Sequence, residues 1–170
     1  AEARRLAALG EEETPDGTII WAKEQTAGRG RRGREWSSPP GNLYFSLVLR
    51  PDVAVAKAAE FGFIAALAVF DTLGTLGEAG HSVDCKWPND ILLNERKVAG
   101  ILLETETGGD GRPYWVILGV GINVETFPGE TDFPATSIRN EDFGATEVDC
   151  LESFCRHFLK WTNTWREEGF

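Results

Sequence analysis

The stretch Gly28 to Gly33, GRGRRG, is followed closely by Pro39-Pro40-Gly41, and this succession constrains the fold more than any other feature of the chain. Glycines at the G-x-G-x-x-G spacing normally open a helix whose N-terminus receives a dinucleotide pyrophosphate. Proline has no N–H and clashes with the preceding helical turn, so a Pro-Pro-Gly segment forbids those first turns. A Rossmann-type doubly wound sheet is therefore excluded. A kinase glycine loop lies between strands and passes this test, and Asp142-Phe143-Gly144 spells D-F-G, but no V-A-I-K or H-R-D segment stands between them, so the kinase set is not assembled.

The rest of the chain is consistent with a loop between strands. Thr18 to Ala22 (TIIWA) and Leu43 to Leu49 (LYFSLVL) read as strands on either side of the loop, the second apolar on both faces as a buried strand is. The opening residues AEARRLAALG read as an amphipathic helix. From about Ala54 to Gly77 an alanine-rich run, apolar almost all round, reads as one long helix buried against a sheet. HSVDCKW, then DILLNERKVAGILLETE around a turn at Asn94-Glu95-Arg96, then YWVILGVGINV, read as four further strands. Residues 125 to 145, with Pro128, Gly129, Pro134 and Gly144, form a loop. Thr146-Glu147-Val148-Asp149 resembles a capping box, and Leu151, Phe154, Cys155, Phe158 and Trp165 trace the apolar stripe of a closing helix. Strands joined by hairpins, with helices at the ends and in the middle, predict an α+β fold with a mixed, largely antiparallel sheet and helices packed on it.

At 170 residues the chain has the size of one domain, and no segment reads as a membrane span. A net charge of −10 argues against a nucleic-acid surface, which needs clustered Lys and Arg. Cys85, Cys150 and Cys155 are odd in number and lack C-x-x-C spacing, and His81 and His157 form no ligand cluster with them. No metal centre is expected, the thiols read as small buried apolar residues, and a reduced, cytoplasmic enzyme fits best.

In so acidic a chain the arginines at 29, 31, 32 and 34 are a local exception. Glycines let a backbone approach a ligand, and guanidinium forks bind carboxylate or phosphate oxygens in pairs. Such a loop suits the joining of a carboxylate to a nucleotide phosphate, where two anions must be held together against repulsion. Lys86, at the end of a strand and directly before Trp87-Pro88-Asn89-Asp90, is placed to meet a developing oxyanion; Asp90 is read as ordering that turn. Gly119 and Gly121, in a strand interior, mark the close approach of a flat ligand or of another backbone.

EQTAGRGRRGREW, KWPNDILLNERKVAGILLE and VILGVGINV, in this order, resemble the catalytic domain of the biotin protein ligases, with their class II synthetase-like fold. The resemblance implies two-step chemistry: biotin and MgATP give biotinyl-5′-AMP, and a lysine of a biotin carboxyl carrier domain, that of acetyl-CoA carboxylase or a related carboxylase, then takes the biotin. It also implies site roles. Gln25, Gly28, Arg29, Gly30 and Arg31 would contact biotin and its adenylate, with Arg29 and Arg31 on the carboxylate and phosphate side. Lys86 matches the lysine that stabilises charge in both steps. Trp36 would stack near adenine or serve as an ordinary core or lid aromatic. Asn123 would lie at the nucleotide end, and Gly119 and Gly121 would line the ureido-ring pocket. The family's Ser-Thr-Asn segment and its small C-terminal β-barrel are expected to lie outside residues 1 to 170, which read as a single catalytic domain. Two alternatives stand beside this reading: a lipoate or octanoate ligase of the same superfamily, disfavoured because its loop signature is R-R-x-x-G-G-G, and a degenerate biotin-binding module. No membrane partner is implied, and a homodimer through a sheet edge stays open.

Overall fold

The computed structural model describes residues 2–129 and 131–169. Its centre is a six-stranded antiparallel sheet built from β1 (Thr18–Ala22), β2 (Leu43–Leu49), β3 (Val83–Lys86), β4 (Asp90–Leu93), β5 (Arg96–Thr107) and β6 (Pro113–Ile122), in the spatial order β1-β2-β6-β5-β4-β3. The helices are α1 (Glu2–Ala7), α2 (Val55–Ala58), α3 (Phe61–Leu76) and α4 (Glu147–Glu168). The α+β expectation holds, and within this sheet every strand pairing is antiparallel.

Three expectations need correction. The run from Ala54 to Gly77 is not one helix: the chain turns at Ala59-Glu60, separating α2 from α3, and Phe63 and Phe70 reach the surface. By length and composition alone, the 22-residue stretch Val55–Leu76, taken across that turn and with a mean hydropathy of 1.5 over 18 of its residues, is long and apolar enough to cross a bilayer, contrary to the reading of the sequence. Here it packs on the sheet and on α4. Arg96 also belongs to β5 and not to the turn, which Asn94 and Glu95 make with left-handed φ of 49° and 63°.

Strand alternation divides the sheet into two faces. Leu43, Phe45, Leu47 and Leu49 of β2, with Val116, Leu118, Val120 and Ile122 of β6, face α3 and α4 in the main core. Phe45 meets Phe154 edge-on at 4.8 Å, and Phe61 lies 5.0 Å from Trp165, so aromatic packing joins sheet to helix and helix to helix. The capping box forms: the Thr146 hydroxyl accepts from the Asp149 N–H, and the Asp149 carboxylate accepts from the Thr146 N–H at 2.8 Å.

On the opposite face, α1 covers only one end, where Ala3 and Ala7 pack on Val48, Trp115 and Ile117. Register places three rows beside it: Tyr44–Gly121–Gly100, Ser46–Gly119–Leu102 and Val48–Ile117–Glu104. The first row continues through Asp90 to Lys86 at the far edge. Small residues therefore line the middle of this face, leaving a floor that a ligand could cover.

Candidate functional site

The arginine loop folds over that floor as a small hairpin. Gly30 N–H donates to the Arg34 carbonyl at 2.8 Å, and Trp36 N–H donates to the Gly28 carbonyl at 3.0 Å. At its tip Arg32 and Gly33 take left-handed φ of 56° and 74°, which supplies the reversal. Gly28 is required for close approach, because a Cβ there would lie 2.2 Å from the Trp36 carbonyl oxygen. The Pro-Pro-Gly segment behind the loop is pinned by Tyr44, whose hydroxyl donates to the Pro39 carbonyl at 3.0 Å.

Loop and floor enclose a cavity of about 650 Å³, a size suited to a bound small molecule. Gln25, Arg29, Gly30, Arg31, Trp36, Lys86, Gly119 and Gly121 all line it. Two of the residues singled out from sequence do not. Gly28 turns toward Trp36 and Ser38, and Asn123 is buried behind the sheet end, donating through its side-chain amide to the Thr136 carbonyl at 3.0 Å.

The polar groups are held by partners within the chain. Arg31 reaches the Asn89 side-chain oxygen at 3.4 Å, while Asn89 donates to the Ile101 carbonyl at 2.9 Å, tying the KWPND turn to β5. Gln25 accepts from the Ser38 hydroxyl at 2.8 Å. Arg29 bonds Glu104 at 3.0 Å. The Lys86 ammonium lies over the Phe133 ring, 3.1 Å from its centroid. Asp90 does not order its turn as expected: it begins β4, and its carboxylate pairs with Lys97 at 2.7 Å.

Lys97 was not singled out in the sequence, yet it lines the cavity, with its ammonium 5.2 Å from the Trp36 ring. A β-bulge puts it there. Between Ile91 and Leu92 the pairing steps from Ala99 to Lys97, so Val98 is an extra residue, and Val98 and Ala99 both sit in the core. Simple alternation would send Lys97 to the helix side; the extra residue returns it to the side of Gly100. The signal within reach of sequence was a pair of cations, Arg96 and Lys97, heading the apolar run VAGILL.

Trp36 lies flat against the floor. A Cβ at Gly121 would come 2.7 Å from its Nε1, and one at Gly100 2.8 Å from its Cζ3, so these glycines give their space to the indole. Gly119 keeps its space open, since a Cβ there would meet only Leu102, at 3.6 Å and beyond. The result is a cleft with an aromatic wall, a small-residue floor and cations from three directions: Arg29 and Arg31 from the loop, Lys86 from β3 and Lys97 from β5.

An antiparallel α+β domain with a cationic cleft beneath an arginine loop has the chemistry to receive an anionic ligand, and comparison gives such a domain a family. A family model described as the biotin/lipoate A/B protein ligase family matches residues 3–123, and the chain belongs to that family, with its class II synthetase-like fold. Among its relatives is a biotin–[acetyl-CoA-carboxylase] ligase of Paracoccus denitrificans, 41% identical over 159 residues, which cover 89% of this chain. This chain spans 65% of that protein's length. Similar solved structures include the biotin protein ligase of Aquifex aeolicus in complex with biotin and ATP, with a TM-score of 0.77 and 31% identity, covering 97% of this chain and 67% of that one. Another is the Leishmania major biotin protein ligase in complex with biotinyl-5-AMP, with a TM-score of 0.76 and 30% identity, covering 95% of this chain and 70% of that one.

Proposed function

We propose that this chain is the catalytic domain of a biotin protein ligase. The biotin carboxylate attacks the α-phosphate of ATP, forming biotinyl-5′-AMP and releasing pyrophosphate. The ε-amine of a lysine on a biotin carboxyl carrier domain, that of acetyl-CoA carboxylase or a related carboxylase, then attacks the anhydride carbonyl and AMP leaves. The observation that carries this reading is the convergence of Arg29, Arg31, Lys86 and Lys97 on one cavity of an acidic protein. Two anions must meet there, and fixed cations in a partly dry cleft offset their repulsion and the charge that develops on the transferred oxygens. The relatives named above are biotin ligases, which favours biotin over lipoate.

Within this reading Gly119 leaves room on the floor for the flat ring of biotin, and the loop arginines take the carboxylate and phosphate side. Lys97, oriented by Asp90, shares the charge-stabilising role with Lys86. Gln25 and Gly30 complete the loop wall, and Trp36 is the aromatic surface against which the nucleotide base would lie. Among the described residues no group of three or more His, Cys, Asp or Glu side chains comes together to hold a metal ion, so Mg2+ is taken to arrive with the ATP phosphates. Of the three free thiols Cys150 is buried, but Cys85 lies at the surface, against the expectation of burial; a reducing cytoplasm is the compartment proposed for such a chain. A second copy would add at β1 or β3, the strands at the two edges of the sheet.

The test is ATP–pyrophosphate exchange by the purified chain, with biotin and lipoate in parallel and with Lys97→Ala and Lys86→Ala beside the wild type. Biotin-driven exchange is expected, with each lysine variant losing about 10²- to 10³-fold, the usual cost of removing one preorganised charge contact. Exchange driven by lipoate and not biotin would overturn the substrate. Undiminished exchange in either variant would remove that lysine from the chemistry.

A further inference from the structure

Glu104 stands where the cavity floor would otherwise continue as apolar sheet, in register with Ile117 and Val48. Its carboxylate is mostly withdrawn from solvent, at 17% exposure, and it serves two guanidinium groups at once. Arg4 of α1 takes it in fork fashion, one nitrogen on Oε1 and Nε on Oε2 at 3.3 Å. Arg29 of the loop takes the same Oε2 at 3.0 Å. Arg4 alone satisfies the carboxylate and fastens α1 to the sheet. The contact to Arg29 is surplus to that task, and it engages a guanidinium that faces the cavity.

We propose that Glu104 is an internal competitor for Arg29, a carboxylate that holds this loop arginine in the way a ligand's own anionic group would hold it. The inference rests on the reading of the cavity as a site for a carboxylate and a nucleotide phosphate. A guanidinium fork bonds protein carboxylate and ligand carboxylate or phosphate with the same geometry, so the two are alternatives for one partner. Both arginines are near half exposed, at 49% and 44%, which keeps the protein-internal pairs weak enough to exchange. The carboxylate also repels an incoming anion from the end of the floor. Glu104 therefore sets how readily the loop gives up its internal contact, and Arg4 moderates it by drawing on the same oxygens.

This arrangement predicts opposite effects from two substitutions. Glu104→Gln removes the competing charge, so AMP should bind about two- to fivefold more tightly, while backbone amides of residues 28 to 36 in the ligand-free chain should exchange hydrogen faster. Arg4→Ala leaves Glu104 wholly to Arg29, so AMP should bind more weakly by a similar factor and the same amides should exchange more slowly; these factors follow from the usual worth of exposed ion pairs. Calorimetry with AMP and hydrogen exchange on the ligand-free proteins read both effects. Loop exchange that moves in the same direction in the two variants or in neither, or weaker AMP binding by Glu104→Gln, would overturn the proposal. Hydrogen exchange on the ligand-free chain needs no turnover: a wild type without biotin-driven pyrophosphate exchange would count against the ligase reading, while opposed loop effects would still support competition at Arg29.

Discussion

At the residue scale the site depends on atoms that are not there. Gly100 and Gly121 carry no side chain because the Trp36 indole fills the space where a Cβ would stand, whereas the space above Gly119 stays open to the cavity. The two glycines of the GVGI segment should therefore respond differently to the same substitution. Gly121→Ala drives a methyl to 2.7 Å from Trp36 Nε1 and should cost about 1–3 kcal/mol by overpacking, seen as a lower urea midpoint, together with loss of ligand binding as Trp36 and its loop are pushed off. Gly119→Ala meets only ordinary contacts, so stability should hold or rise slightly while biotin affinity falls. Equal destabilisation by both would show that the indole is not what occupies the glycine space. The glycines and arginines were legible in the sequence because their meaning is local. That one glycine receives a tryptophan and the other is left to a ligand was not, since Trp36 is far from both along the chain.

At the element scale the edge behind the site depends on a buried acid. Glu141, in a short helical turn at Arg139–Glu141, accepts from Thr136, from the Asn94 amide at 2.7 Å and from Arg96 at 2.5 Å. These contacts join the β4–β5 turn to the segment in which Thr136 N–H bonds the Lys97 carbonyl at 2.9 Å, so they steady the strand end that carries Lys97. Burial works to raise the Glu141 carboxyl, but hydrogen bonds from Thr136 and Asn94 and the Arg96 charge outweigh it and hold the group below its ordinary value. A carboxyl lowered in the folded state stabilises the fold above its unfolded value of about 4.3, and that contribution fades as pH falls through the folded value. Unfolding free energy measured in urea across a falling pH series should drop from about pH 5 downward, and Glu141→Gln should flatten this dependence. An unchanged slope would mean that the network does not favour the ionised acid. Sequence reading found β1 and β2 at their observed bounds and the cap of α4, where propensity, apolar pattern and cap chemistry agree. It missed the break at Ala59-Glu60, because an apolar alanine-rich run carries no stop signal, and it saw nothing of Glu141, whose partners at the β4–β5 turn lie about 45 residues away along the chain.

At the scale of the whole molecule one face of the sheet supplies stability and the other supplies the site. Helices α3 and α4 cover the first with a continuous apolar core, and the second is left to α1, the loop and the cavity. On the proposed ligase reading the loop, fastened at its base by the Gly30–Arg34 and Trp36–Gly28 backbone bonds, would close over the bound intermediate and keep water from it. Biotin with ATP should slow hydrogen exchange at residues 28 to 34 and leave the core strands unchanged; equal exchange with and without them would show that the loop does not close.

By itself the sequence determined the strands and the first and last helices, the exclusion of a Rossmann sheet and the concentration of arginine within one glycine loop. Period, proline, cap residues and arginine act over a few residues, and their effects are set before the chain folds. Only the tertiary structure decided which side chains meet. One extra residue in β5 turns Lys97 to the cavity, register lines Asp90 with two glycines, and the sheet brings Glu104 between Arg4 and Arg29. These depend on the pairing of strands remote in sequence, where a single step of register exchanges one face for the other.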